Sequence, residues 1–497
     1  MNKKFQGLIS SLVSSGFGIL MFHLPLWKGP MYGDDFLGVM VSQHTNGQSG
    51  FFSDIWLAGG GKWRPVTTPI LLWMGRKFGY SYQPFQLTNL VLLLLCASLV
   101  GYLVYLSSGS RLVSGLCSFT VSISHFTWMA QISIYGLMEL LAIIFLVGSI
   151  AIAVVSVNLS IDRSALACRL QLTAAFLLLL STFTHERYLL ATLSFWGLYL
   201  WSSPTNTKLW RQSFVFLLIP AVHIFLKGVL LGLDPLQGGG ESRIRSNSGV
   251  WMLKHFGDAL MGLFGYFSGS GKFYTEGELT RLAEQSDLRI TGVLLVIVPS
   301  TIVLLGTYRA SRVQRSVPIN GEPKSHLLFI FSLFLATIVP ASTVIQRIES
   351  RWLLAPQILL ILVSIKFLSR SRLNSAWRYF AMLILPISFS CLSLFYQSKK
   401  EAYTILRDQP STVLLDLEKI APATGDWVLQ LGQSDVTMPT FWQFGYGFSF
   451  SQLSNPPYKI VSSDQAGCHK TPKNIPCISV ELNGADMNFK IIPRARN

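Results

Sequence analysis

The sequence predicts an all-α polytopic membrane protein that ends in a small extracytoplasmic domain of β or α/β type. Three observations carry this reading. Half of the 497 residues are hydrophobic and only 13% are charged, well outside the averages of soluble proteins. The apolar residues gather in repeated blocks of roughly 16 to 24, bounded by Arg, Lys, Pro and Gly, the length a helix needs to cross the hydrocarbon core. A closed barrel would show short alternating segments instead. Finally, residues 398–497 change character, with strand-like runs such as DWVLQLG, YKIVSS, CISVELN and FKIIP between Gly, Pro, Asn and Asp turns.

Taken in order, the apolar blocks predict spans near residues 5–26, 84–106, 110–128, 134–156, 168–183, 187–203, 212–233, 290–308, 325–345, 351–369 and 376–397, about eleven in all. The blocks near 168 and 187 are short and separated only by the polar THER stretch, so they read as a broken pair that does not fully cross twice. The chain thus divides into a transmembrane domain over 1–397 and a C-terminal domain over 398–497.

Charge sets the expected orientation. With the N-terminus in the cytoplasm, every inner connection is short and basic: Lys3 and Lys4, Arg111, Arg163 and Arg169, Lys208 and Arg211, the Arg309 to Lys324 stretch, and Arg370, Arg372 and Arg378. The outer segments are then 27–83, the HFTWMAQ and THER turns, 234–289, QRIES and everything after 398. The formal charge of +16 is scattered between apolar blocks, so topology accounts for it and nucleic acid is not an expected partner. Cys96, Cys117, Cys168 and Cys391 lie in or beside apolar blocks and read as small hydrophobes. Cys468 and Cys477 sit in polar sequence on the outer side and form a disulfide candidate. Asn158 has a glycan-acceptor pattern but falls on an inner connection. Within 234–289, the segment GVWMLKHFGDALMGLFGYF has the spacing of an amphipathic interfacial helix, or of a packed helix after a linker.

The residues that suggest chemistry collect in the outer segments. YGDDF places Asp34 and Asp35 just past the first span. Two adjacent carboxylates near an interface suit proton abstraction, metal binding or ion pairing, and a solvated Asp-Asp turn is the plain alternative. GKWRP supplies Lys62 and Arg64 as cations and Trp63 as a flat face of the kind that stacks on sugar rings; an interfacial aromatic with snorkelling bases is the alternative. In QRIESRW, Arg347 and Arg351 are four apart and would share a face of a continuous helix, able to grip one anion or merely to flank the helix. Arg243 and Arg245 follow a Gly triplet and could wrap a phosphate on a mobile loop. Glu139 starts a span, and His185, Glu186 and Arg187 sit together in THER. His185 with Glu186 could orient a base or hold a divalent ion, although two ligands do not specify a metal site. His23, His125, His223, His255 and His326 suggest no role.

A first outer loop with DD soon after the first span, then Arg-Pro entering the next helices, resembles the GT-C superfamily of membrane glycosyltransferases, which includes protein O-mannosyltransferases and bacterial lipid-sugar transferases. SISHFTWMAQISIYGLMELLAIIF, with Glu139, is similar to that family's turn after the third span and its polar helix start. TFTHERYLL is similar to its short charged couple, here with His185, Glu186 and Arg187. RWLLAP, from Arg351, is similar to its late Arg-aromatic segment.

The resemblance implies a sugar donor linked through phosphate to a polyprenol, and a glycan, glycolipid or protein acceptor. It implies Asp34 or Asp35 as the base, transfer with inversion, and a donor-phosphate clamp among Lys62, Arg64, Arg187, Arg243, Arg245, Arg347 and Arg351. Trp63, Glu139, His185 and Glu186 would support the sugar or the base, with a divalent metal left open. The expected setting is a bacterial cytoplasmic membrane. The rival readings are a flippase or exporter of lipid-linked sugars and an inactive lipid-binding scaffold.

Overall fold

The computed structural model describes residues 3–23, 54–56, 58–59, 62–79, 81, 83–127, 133–159, 164–202, 207–233, 249–264, 273–274, 293–301, 305, 325–343, 348–369, 375–398, 428–431, 477–483 and 486–492. They form helices α1 (Lys3–Phe22), α2 (Thr67–Phe78), α3 (Gln83–Ser108), α4 (Arg111–Ser122), α5 (Gly136–Leu159), α6 (Ser164–Thr184), α7 (Ala191–Ser202), α8 (Val215–Ile224), α9 (Gly249–Leu263), α10 (Ser325–Thr343), α11 (Leu354–Ser369) and α12 (Ser375–Ser398). Seven segments are long and apolar enough to cross a membrane: Phe5–Phe22, Gln83–Ser108, Gly136–Leu159, Ala165–Thr184, Leu209–Leu230, Arg351–Ser369 and Ser375–Phe395. A shorter apolar helix covers His326–Pro340. An integral membrane protein is what such helices make, because only in this form does a spanning backbone satisfy its own polar groups.

Two expected spans are shorter than predicted. The block at 110–128 contains α4, only 12 residues, followed by a 3₁₀ turn at His125–Thr127. Twelve residues rise about 18 Å against a hydrocarbon core of about 30 Å. The block at 187–203 likewise becomes a 3₁₀ turn, Glu186–Leu190, and the 12-residue α7. Its expected partner in a broken pair is in fact long enough to span by itself, since α6 has 21 residues. Hydropathy sees apolar length and misses the helix breaks. The block at 290–308 is described only in part.

Packing follows side-chain size. α1, α3 and α4 meet along a seam of small residues, where close backbone approach replaces the hydrophobic drive that lipid removes. A Cβ on Gly101 would lie 2.7 Å from Ser11 Oγ and 2.8 Å from Ser118 Cβ, so only glycine fits. Hydroxyls fill the seam: Ser11 and Ser114 share a hydrogen bond of 2.8 Å, as do Ser15 and Ser98, and Ser118 donates to the carbonyls of Ser11 and Ala97 at 2.8 and 2.9 Å. The sharp reversal from α3 to α4 uses Gly109 at φ 68° and the Ser110 side chain, which accepts from the Val113 amide. α5 lies along α6, and α10 and α11 complete the bundle. The core they enclose is leucine- and valine-rich, including Leu93, Val100, Leu146, Leu178, Leu333 and Ile358.

The strands are few. β1 (Ala58–Gly59) and β2 (Lys62–Trp63) form a short hairpin, and β3 (Phe273–Tyr274) pairs in parallel with β4 (Ile348–Glu349). Near the C-terminus β5 (Val428–Leu431), β6 (Cys477–Asn483) and β7 (Asp486–Ile492) form one sheet in the order β5-β6-β7, parallel then antiparallel. β5 and β6 fall within DWVLQLG and CISVELN, and β7 starts at Asp486, three residues before the expected FKIIP run; YKIVSS lies outside the described residues.

Candidate functional site

Six charged or titratable residues from four places in the sequence converge at one end of the bundle. Arg64 precedes α2, Glu139 lies in the first turn of α5, and His185, Glu186 and Arg187 make the turn that leaves α6. Arg351 sits on the 3₁₀ turn Ser350–Leu353 that leads into α11. The packing of α5 on α6 brings the start of one helix beside the end of the other, so Glu139 and the His185–Arg187 turn must meet.

The contacts form two linked ion pairs. Arg64 donates from Nε to Glu186 Oε2 and from Nη2 to Glu186 Oε1, both at 3.2 Å. Its remaining nitrogen, Nη1, faces Met138 Sδ at 3.2 Å. Arg187 donates through Nη2 to Glu139 Oε1 and lays its guanidinium 5.0 Å over the Trp352 ring, a cation-π contact that holds the side chain flat. Arg351 Nε approaches the same Glu139 oxygen at 3.9 Å. Glu139 is only 2% exposed, and its other oxygen, Oε2, is buried without a hydrogen-bond partner among the described residues. A buried carboxylate stands only beside compensating charge, which here comes chiefly from Arg187.

His185 bridges the pairs. Its Nδ1 accepts from the backbone N–H and Nε of Arg187, each at 3.4 Å, which leaves the ring hydrogen on Nε2, 3.5 Å from Glu139 Oε1. Burial, then the charges of Arg187 and Arg64, push the imidazole well below its ordinary value of 6.5, so it is neutral near pH 7. For Glu186, burial is the largest single influence and favours the protonated form, but the charge and hydrogen bonds of Arg64 with the other neighbouring groups together outweigh it and hold the carboxyl well below the usual range. Among the described residues, three guanidiniums against two carboxylates give the cluster one excess positive charge.

The first loop is fastened beside this cluster. Asp54, fully buried, takes both ends of the Arg76 guanidinium at 2.7 and 2.9 Å. Trp63 donates its indole N–H to the Ile55 carbonyl at 2.8 Å. The Trp63 ring corrects an expectation: it is 3% exposed, stacked by Trp56 on one hand and packed by Phe183 and His223 on the other. The face expected to stack on a sugar is covered by protein. Trp56, 51% exposed, is the indole that looks outward.

A second correction concerns Arg347 and Arg351. No continuous helix joins their positions, because β4 and the Ser350–Leu353 turn intervene; a shared helical face is therefore not available. Arg347 itself, Asp34, Asp35, Arg243, Arg245 and Cys468 lie outside the described residues. Lys62 is placed on β2 and Cys477 on β6 by backbone only.

Sequence reasoning did not single out Met138, Trp352 or Lys227, and it gave His223 no role. His223 and Lys227 are buried in the apolar segment Leu209–Leu230, and neither ring nitrogen of His223 has a hydrogen-bond partner among the described residues. Lys227 stands on a π turn, Phe225–Leu230, of the kind that gathers at functional sites. Their signal was available: polar residues four apart inside an apolar run. Among the described residues no group of three or more His, Cys, Asp or Glu side chains is arranged to hold a metal ion, and each carboxylate of the cluster is already engaged by a guanidinium. Comparison with protein-family models and with curated proteins finds no match to this chain.

Proposed function

We propose that the chain is a membrane glycosyltransferase of GT-C type, moving a sugar from a polyprenyl-phosphate donor to an acceptor hydroxyl at the outer face of the membrane. The observation that carries this reading is the convergence of Arg64, Arg187 and Arg351 on one cluster at the end of membrane-crossing helices. A donor with its tail in lipid and its phosphate at the rim needs such a place, and a departing lipid phosphate is stabilised by fixed cations. Glu139, through Arg187, and the neutral His185 position these cations. Asp34 or Asp35 serves as the base that takes the acceptor proton, and direct displacement inverts the anomeric centre.

The proposal keeps about eleven crossings, the cytoplasmic N-terminus and an extracytoplasmic C-terminal domain, on the strength of the basic inner connections. It also keeps a bacterial cytoplasmic membrane as the setting. The experiment is donor turnover by the full chain in proteoliposomes. Replacing both Asp34 and Asp35 by Asn abolishes transfer while the protein accumulates normally; undiminished transfer removes them from the mechanism.

A second reading, a carrier of lipid-linked sugars, draws on one observation: His223 and Lys227 lie buried within a spanning segment, where polar groups often mark a transport path. Movement of donor across the bilayer without its consumption would favour it.

A further inference from the structure

Two arginine-carboxylate forks in this chain have the same design and different fit. Arg76 and Asp54 meet at 2.7 and 2.9 Å around a fully buried carboxylate, the range of a settled charge-assisted pair. Arg64 and Glu186 meet at 3.2 Å through both bonds, and the Glu186 side chain is 23% exposed. We infer that Glu186 is a placeholder on Arg64, occupying the Nε–Nη2 edge that a phosphate mono- or diester takes when the ligand arrives. This rests on the proposed reading of the cluster as a phosphate site and names the group that must yield there.

The geometry suits an exchange. A phosphate offers two oxygens to the same guanidinium edge as a carboxylate does, so Arg64 need not turn. Met138 Sδ stays against Nη1, and the His185 ring stays 3.4 Å from Nη2. Glu139 cannot serve as the exchangeable anion, because it is buried and surrounded by Arg187, His185 and Arg351. Glu186 has the exposed side and, among the described residues, one guanidinium partner, with the His185 ring at 3.6 Å. Without ligand the carboxylate spares Arg64 an uncompensated charge; with ligand it leaves, so a neutral lipid gains nothing from the exchange.

The test uses the full chain in nanodiscs, with farnesyl phosphate, farnesol and inorganic phosphate as probes and Glu186→Gln and Glu186→Ala as variants. Gln keeps the shape and loses the competing charge, while Ala removes the side chain. Both variants are expected to bind farnesyl phosphate about tenfold tighter than wild type, a change of about 1.4 kcal/mol, with farnesol binding unchanged. Unchanged or weaker phosphate binding in the variants, with wild type still binding, overturns the placeholder and makes Glu186 a residue that positions Arg64. Binding of no phosphate probe by any form overturns the phosphate site as well. Tightening for inorganic phosphate equal to that for farnesyl phosphate supports the exchange and counts against the lipid source of the anion.

Discussion

The seam between α1, α3 and α4 and the charged cluster at the ends of α5 and α6 are both polar and buried, yet they are finished to different standards. In the seam the hydroxyls of Ser11, Ser15 and Ser118 hydrogen-bond at 2.8 to 3.1 Å to carbonyls or to the hydroxyls of Ser114 and Ser98, and the glycine gap is filled. In the cluster Arg187 holds Glu139 closely, but the Arg64–Glu186 bonds are 3.2 Å, those from Arg187 to His185 are 3.4 Å, and one oxygen of the buried Glu139 has no hydrogen-bond partner among the described residues. A region that only has to hold helices together can satisfy every group. The cluster leaves that oxygen unmet, and departures of this kind gather at functional sites more often than in packing seams.

The comparison breaks most readily at Arg187. Arg187→Ala leaves the Glu139 carboxylate buried beside the more distant Arg351, and a stability loss of about 3 to 5 kcal/mol is expected, read as a fall in thermal midpoint in detergent. A midpoint within a degree of wild type would mean that Glu139 is not compensated by Arg187. Next comes Gly101→Val, which drives a branched side chain into Ser11 and Ser118. It should cost about 1 to 3 kcal/mol through overpacking while farnesyl phosphate binding by the protein that remains folded is unchanged. Loss of binding along with stability would show that the two regions are not independent.

The smallest effect is the dependence on pH. The folded chain resists protonating His185, whose ordinary value is 6.5. Below that pH the unfolded chain binds the extra proton and stability declines, by about 1 kcal/mol over the first pH unit. Glu186 is depressed from 4.5; its contribution is present above that value and is lost as the pH falls further, through its folded value. Thermal midpoints from pH 7.5 to 5.5 should therefore fall in wild type and fall less steeply in His185→Gln, where the buried His125, also held below its ordinary value, still contributes. A level wild-type profile would mean that His185 accepts its proton in place.

Much of this arrangement was legible in the sequence, for a physical reason. Arg64, Glu139, the His185 to Arg187 triplet and Arg351 all stand where an apolar block stops or starts, and charges at such borders must lie near an end of the bundle. Which guanidinium would meet which carboxylate was not legible, because that depends on how α5 and α6 pack. Arg187, next to Glu186 in the chain, pairs instead with Glu139, 48 residues away. Trp63 was misread for the same kind of reason: the residues that cover it, Phe183 and His223, come from other helices. α4 and α7 came out shorter than their apolar blocks because hydropathy records composition and not the turns at Glu186–Leu190 and His125–Thr127.

The parallel bridge between Phe273–Tyr274 and Ile348–Glu349 has a consequence for the cluster. It ends two residues before Arg351, so it ties the approach of that guanidinium to a stretch 75 residues earlier in the chain. A two-residue parallel pairing is a weak fastening. Any event that pulls on the earlier stretch would tug the arginine toward or away from Glu139 without touching a transmembrane helix.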